Sequence, residues 1–171
     1  MVICQAFVYN IGIMNIEVAQ AFGKIAEILE IQGENKFRIR AYERAAQAVG
    51  GLAKDVSEIY KEGITLNGVE GGLKALEDIP GIGKELVAKI EEMIKTGKLK
   101  ALHELSKDVP DGVIDILAVE GMGPKKTKFV WKKFGVKSVK ELEELAKSGK
   151  LNELEGWGEK SVANILHAIE L

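Results

Sequence analysis

One pattern constrains this chain more than any other, because it occurs three times in one register. The copies read LEDIPGIGKELVAKI from Leu76, ILAVEGMGPKKTKFV from Ile116 and LNELEGWGEKSVANI from Leu151. In each, one apolar residue stands five before a glycine (Leu76, Ile116, Leu151) and another two before it (Ile79, Val119, Leu154). A Gly-apolar-Gly triplet follows: Gly81-Ile82-Gly83, Gly121-Met122-Gly123 and Gly156-Trp157-Gly158. Helical apolar spacing then resumes, with Ile90, Val130 and Ile165 at matching positions. The pattern predicts a helix, a tight hairpin and a second helix. The glycines permit positive φ and keep side chains out of the way of an approaching backbone. The apolar residue between them can turn inward and pin the hairpin. The second helix starts with unpaired N–H groups and a positive dipole end, an arrangement that takes an anion, with phosphate the natural occupant.

Lysines trail the hairpins: Lys84 after the first, Lys125 and Lys126 after the second, and Lys160 after the third. From Gly121 to Lys137 the chain carries six lysines, Lys128 among them, and no acid. Pro124 stands where a first-turn proline is tolerated. A single Gly-x-Gly turn with a trailing lysine reads as a helix C-cap beside a solvated face. Three copies favour a polyanion, and the repeat predicts binding to the DNA backbone. Phe129, Val130, Trp131 and Phe134 lie inside the basic stretch at helical spacing and read as core rather than as base-stacking residues. No element carries a base-reading signature, so sequence-specific recognition is disfavoured.

The rest of the sequence reads as helix, and the fold class is all-α. Apolar periodicity predicts helices over residues 15–31 and 36–49 and a short one over 55–61. Residues 63–72 carry four glycines and read as a surface loop. The formal net charge is −2, so any anion site arises from local clustering rather than from bulk charge. One cysteine, Cys4, excludes an internal disulfide, and His103 and His167 do not complete a zinc cluster with it. Residues 1–14 read as a poorly ordered leader, too short to span a bilayer and without the basic start of a signal peptide. No membrane partner is expected. An intracellular, cytoplasmic and nucleoid-associated location is.

Three stretches carry a resemblance: NKFRIRAYERAA from Asn35, IPGIGKELVAKIEEMIKTGKL from Ile79 and GMGPKKTKF from Gly121. They are similar to family X DNA polymerases of bacterial and archaeal type, relatives of DNA polymerase β. The resemblance implies a lyase-type domain over about 15–107, containing the first hairpin, and a tandem helix-hairpin-helix domain over 108–171. It implies DNA repair, with nicked, gapped or damaged DNA as the partner. The polymerase palm, with its two-metal carboxylate site, is not in this sequence, which has no Asp-x-Asp pair. A separate catalytic domain is therefore a further implied partner.

The resemblance also assigns residues. Lys89 matches the nucleophile of 5′-deoxyribose phosphate lyases, and Arg38 and Tyr42 match phosphate-pocket and aromatic positions of the family. The backbone carbonyls of Glu77, Ile79 and Ile82, and those of Leu117, Val119 and Met122, match a monovalent cation site for K+ or Na+. No other cofactor is implied. Phe37, Glu43, Glu77 and Glu85 depart from the pattern of lyase-competent animal relatives, and each departure weakens the pocket. A Schiff-base lysine must be unprotonated, so burial or nearby cations must lower its pKa. Lys89 otherwise reads as a lysine on the rim of an apolar stripe. The alternative to catalysis is a helix-hairpin-helix DNA-binding or interaction module of another repair complex.

Overall fold

The computed structural model describes residues 13–171, which form helices joined by turns, with no strand among them. The helices are α1 (Asn15–Gln32), α2 (Lys36–Gly50), α3 (Val56–Glu77), α4 (Lys84–Thr96), α5 (Lys100–Asp108), α6 (Asp111–Leu117), α7 (Pro124–Phe134), α8 (Val139–Lys147) and α9 (Glu159–Glu170). Two compact units result. The first holds residues 13–26 and Lys36–His103, and the second holds Glu27–Asn35 and Glu104–Leu171. Most of the leader expected over residues 1–14 lies outside the described residues. Ile13, however, is buried, and its carbonyl accepts a hydrogen bond from Ser57 Oγ at 3.4 Å, so ordered packing already includes that residue.

In the first unit, the side chain of Asn15 ties the start of α1 to the start of α3. Its Nδ2 donates to the Lys54 carbonyl at 2.9 Å, and its Oδ1 accepts from the Val56 amide at 2.9 Å. Phe22 of α1 meets Tyr42 of α2 edge to face, with ring centroids 5.8 Å apart. Phe22 is fully buried, which contributes about 1.5–3 kcal/mol relative to exposure.

The loop expected over residues 63–72 is not there. The chain is helical through this stretch apart from Asn67 and Gly68, where φ/ψ of −139°/27° and 68°/−164° kink α3 and fold its two halves together. A Cβ on Gly63 would overlap the Gly71 carbonyl, and one on Gly71 would overlap the Gly63 carbonyl. A Cβ on Gly72 would come within 2.8 Å of the Tyr60 ring. The glycines therefore serve close helix–helix approach, and only Gly68 needs a positive φ.

The second unit packs α6 against α7 and α8, and α8 against α9. Its core includes Ile116, Val130, Leu142, Leu151 and Ile165, all fully buried. Ser138 caps α8 by accepting from the Glu141 amide at 3.2 Å, while the Glu141 carboxylate accepts from the Lys137 amide at 2.6 Å. Lys128 Nζ donates to the Gln32 carbonyl at 3.2 Å, satisfying an acceptor at the C-terminus of α1.

Candidate nucleic-acid interface

The three repeats share the hairpin turn, but the third departs from the expected helix before it: Leu76 and Ile116 lie in α3 and α6, whereas Leu151 lies in turns beyond the end of α8 at Lys147. The amide of the middle residue donates to the apolar residue three before it: Ile82 to Ile79, Met122 to Val119 and Trp157 to Leu154, each at 3.0 Å. The middle residues turn inward, with Ile82, Met122 and Trp157 5 %, 8 % and 3 % exposed, so the expected pin is present in all three. Matching helix positions Ile90, Val130 and Ile165 are fully buried.

The two glycines of each hairpin do different work. The first adopts the left-handed region, with φ of +90° at Gly81, +87° at Gly121 and +82° at Gly156. An L-residue pays about 1–2 kcal/mol there. The second glycine is the N-cap of the following helix, with φ of −91° at Gly83, −128° at Gly123 and −8° at Gly158. A Cβ added at Gly83, Gly123 or Gly158 would meet no atom of the protein within 4 Å. Packing thus leaves the second position open in every copy. None of these N-caps provides a side-chain acceptor, so the first-turn amides of α4, α7 and α9 lack the cap that Ser138 gives α8. Pro124 occupies the first turn of α7, as expected.

The trailing lysines divide into two groups. Lys84, Lys125 and Lys160 are exposed. Lys126 is half-buried and bound to the protein itself, and Lys128 reaches the Gln32 carbonyl. Two more lysines lie over aromatic rings: Lys132 Nζ is 3.8 Å from the Trp131 centroid, and Lys133 Nζ is 5.1 Å from that of Phe129. Phe129 also packs near Phe134 and Trp157, with centroids 6.0 and 6.2 Å away. Val130 is fully buried, whereas Phe129, Trp131 and Phe134 are half-buried.

In the first unit, Arg38, Tyr42, Arg44, Gly81, Gly83 and Lys84 line one cleft of about 640 Å³ together with Glu85. The cleft unites Arg38 and Tyr42 with the first hairpin. Arg44 escaped the sequence reading because it lies off the Arg38–Tyr42 face of α2. Lys89 stands beside this cleft, its Nζ 5.9 Å from the Tyr42 centroid and 2.8 Å from Glu85 Oε1. Burial disfavours the Lys89 charge, but the hydrogen bond to Glu85, then the charges of Tyr42 and Glu85 and a hydrogen bond to Tyr42, outweigh it and hold the ammonium above the usual lysine range. Glu85 is held below the usual carboxylate range, first by its hydrogen bond to Lys89 and then by that charge. The pairing therefore favours the protonated amine, opposite to the shift that Schiff-base chemistry requires.

A helix-hairpin-helix domain model matches residues 13–99, half of the chain. The chain belongs to the helix-hairpin-helix domain family. A model of a SAM-like helix-hairpin-helix tandem matches residues 113–170. The chain is 30% identical over 153 residues to DNA polymerase/3′-5′ exonuclease PolX of Bacillus subtilis (strain 168), covering 90% of this chain and 24% of that protein. It is 27% identical over 133 residues to DNA polymerase lambda of Rattus norvegicus, covering 77% of this chain and 20% of that protein. The similarity to family X polymerases inferred from the motifs thus extends over nearly the whole chain, which spans a quarter or less of the length of these relatives. Among the described residues, no group of three or more His, Cys, Asp or Glu side chains is placed to hold a metal ion. No described helix is long and apolar enough to cross a membrane.

Proposed function

We propose that this chain holds DNA by its phosphate backbone, without reading sequence, in DNA repair. The observation that carries the reading is the repeated glycine N-cap at Gly83, Gly123 and Gly158, each opening a helix with no side-chain cap and with space where a Cβ would touch no protein atom. A close-approaching ligand accounts for that glycine, and uncapped helix N-termini beside exposed lysines account for its being a phosphate. Gly81, Gly121 and Gly156 set the turns. Lys84, Lys125 and Lys160 supply cations.

By the resemblance, the backbone carbonyls of Glu77, Ile79 and Ile82 at the first hairpin, and those of Leu117, Val119 and Met122 at the second, are the candidate oxygen donors for K+ or Na+. Ile79 and Val119 each spend one acceptor position on the turn hydrogen bond, and a carbonyl has two. A cation held there would offset phosphate charge at the hairpin.

The second reading is a 5′-deoxyribose phosphate lyase. It is favoured by the cleft of Arg38, Tyr42, Arg44 and Lys84 beside Lys89 and opposed by the Lys89–Glu85 pair. Two unrelated duplexes of equal length, each intact and nicked, test the first reading by anisotropy. Equal affinity for the two sequences is expected, and strong preference for one sequence would defeat it. Borohydride trapping on DNA with a 5′-deoxyribose phosphate tests the second. Trapping lost in Lys89→Ala supports it, and no trapping by the parent leaves backbone binding alone.

A further inference from the structure

Lys126 stands three residues after Gly123, where the first repeat has Leu86 and the third Ser161, within the most basic stretch of the chain. Its surroundings differ from those of an exposed phosphate ligand. Its Nζ donates to the Gly121 carbonyl at 3.3 Å and to Ser161 Oγ at 2.9 Å, and lies 4.9 Å from the centroid of the Trp157 ring. Gly121 belongs to the second hairpin, Trp157 to the third, and Ser161 to the first turn of α9. An ammonium has three protons. Here two acceptors and one ring face engage it, all from the protein. The ring is itself fixed, since Trp157 is 3 % exposed. Gly121 also faces α9 closely, and a Cβ there would lie 3.2 Å from Ile165 Cγ1.

We propose that Lys126 is a positioning residue: its ammonium is a strut that locks the second hairpin to the third, so that both meet one DNA backbone as a preset pair. The inference rests on the backbone-binding reading above. Lys125, exposed one residue earlier, remains the phosphate contact of this hairpin. Met122 and Trp157, the pins of the two hairpins, share one apolar core. The Lys126 stem and its cation–π contact with Trp157 add a polar tie above that core, where Gly121 presents a carbonyl and Ser161 a hydroxyl.

Salt dependence separates a strut from a ligand. Losing a phosphate contact flattens the plot of log K against log salt by about 0.9. Losing a strut lowers affinity while the phosphates contacted, and hence the slope, stay the same. On a random-sequence duplex, Lys125→Ala should flatten the slope by about one unit. Lys126→Met and Ser161→Ala should each lower affinity by roughly three- to tenfold at unchanged slope, because pre-organisation is lost. Ser161→Ala removes a partner of the strut and leaves every lysine in place, so it serves where Lys126→Met fails to fold. Flattening in Lys126→Met equal to that in Lys125→Ala, or parental affinity in Ser161→Ala, would overturn the proposal.

Reductive methylation of the free protein, read by mass spectrometry, tests the strut without DNA. Lys126 should react much more slowly than Lys125, and equal rates would overturn the proposal. If the parent binds no duplex while Lys126 stays protected, the backbone-binding reading fails and the strut stands as a fold contact only, which overturns its role in DNA binding.

Discussion

Replacing each hairpin glycine by alanine should separate folding from binding. Gly121 has φ +87°, so an alanine there costs about 1–2 kcal/mol of left-handed strain. Its Cβ would also press on Ile165 Cγ1 at 3.2 Å. Thermal unfolding of Gly121→Ala should therefore fall by about 2–8 °C. Gly123 is different, because its φ of −128° and ψ of 175° suit any L-residue, and its added Cβ meets nothing within 4 Å. Alanine there stabilises by about 0.4–1 kcal/mol through the unfolded chain. It also costs a similar amount at an N-cap, where glycine is preferred. The two offset, and stability should stay within about 0.5 kcal/mol of the parent. DNA affinity should nevertheless fall, because the methyl group occupies the space left for the ligand. Denaturation monitored by circular dichroism and anisotropy titration on one duplex give both quantities. A Gly123→Ala protein with parental stability and parental affinity would refute the assignment of the second glycine to ligand approach.

Other perturbations follow from particular contacts. Gly63→Ala should destabilise by about 1–3 kcal/mol in urea denaturation, since its Cβ overlaps the Gly71 carbonyl; an unchanged midpoint would mean the halves of α3 are not in close contact. Thr127 is fully buried with an unpartnered hydroxyl, so Thr127→Val should stabilise by about 1 kcal/mol, and clear destabilisation would reveal a partner for Oγ1. The Glu85–Lys89 pair favours the folded state above the unfolded carboxylate pKa and loses this as pH falls through the lower folded value of Glu85. It also loses it as pH rises through the elevated folded value of Lys89, so the pair's contribution should be flat in pH between these ranges, read as the difference in stability between the parent and Glu85→Gln. Glu85→Gln should shift the amine's titration to lower pH, measured by NMR of the Lys89 side chain. A shift to higher pH would show that another group holds the proton.

The hairpins were legible because their geometry forces composition. A left-handed position demands Gly81, Gly121 or Gly156, and the inward pin demands Ile82, Met122 or Trp157. The same rule misled at residues 63–72, where glycine density suggests a loop but the glycines of α3 allow backbone contact between two helical segments. Helices α5 and α8 are nine residues each, too short for periodicity to declare them. Lysine counting treated Lys126 and Lys128 as equivalent to Lys125. An ammonium already held by Gly121, Ser161 or Gln32 looks no different in sequence from one that faces solvent. Arg44 joins the cleft through the packing of α2 beside the first hairpin, which no local pattern reports. For Lys89, its place on the rim of an apolar stripe was readable from spacing and its place by the pocket only from the resemblance, while the effect of Glu85 depended on which of two opposed influences was stronger.

The central claim is that three hairpins grip the DNA backbone, and the salt dependence of binding tests it most directly. With about two phosphates per hairpin, roughly six contacts form, and log K on a random-sequence duplex should fall with log salt at a slope near −5. A slope near zero would contradict the account.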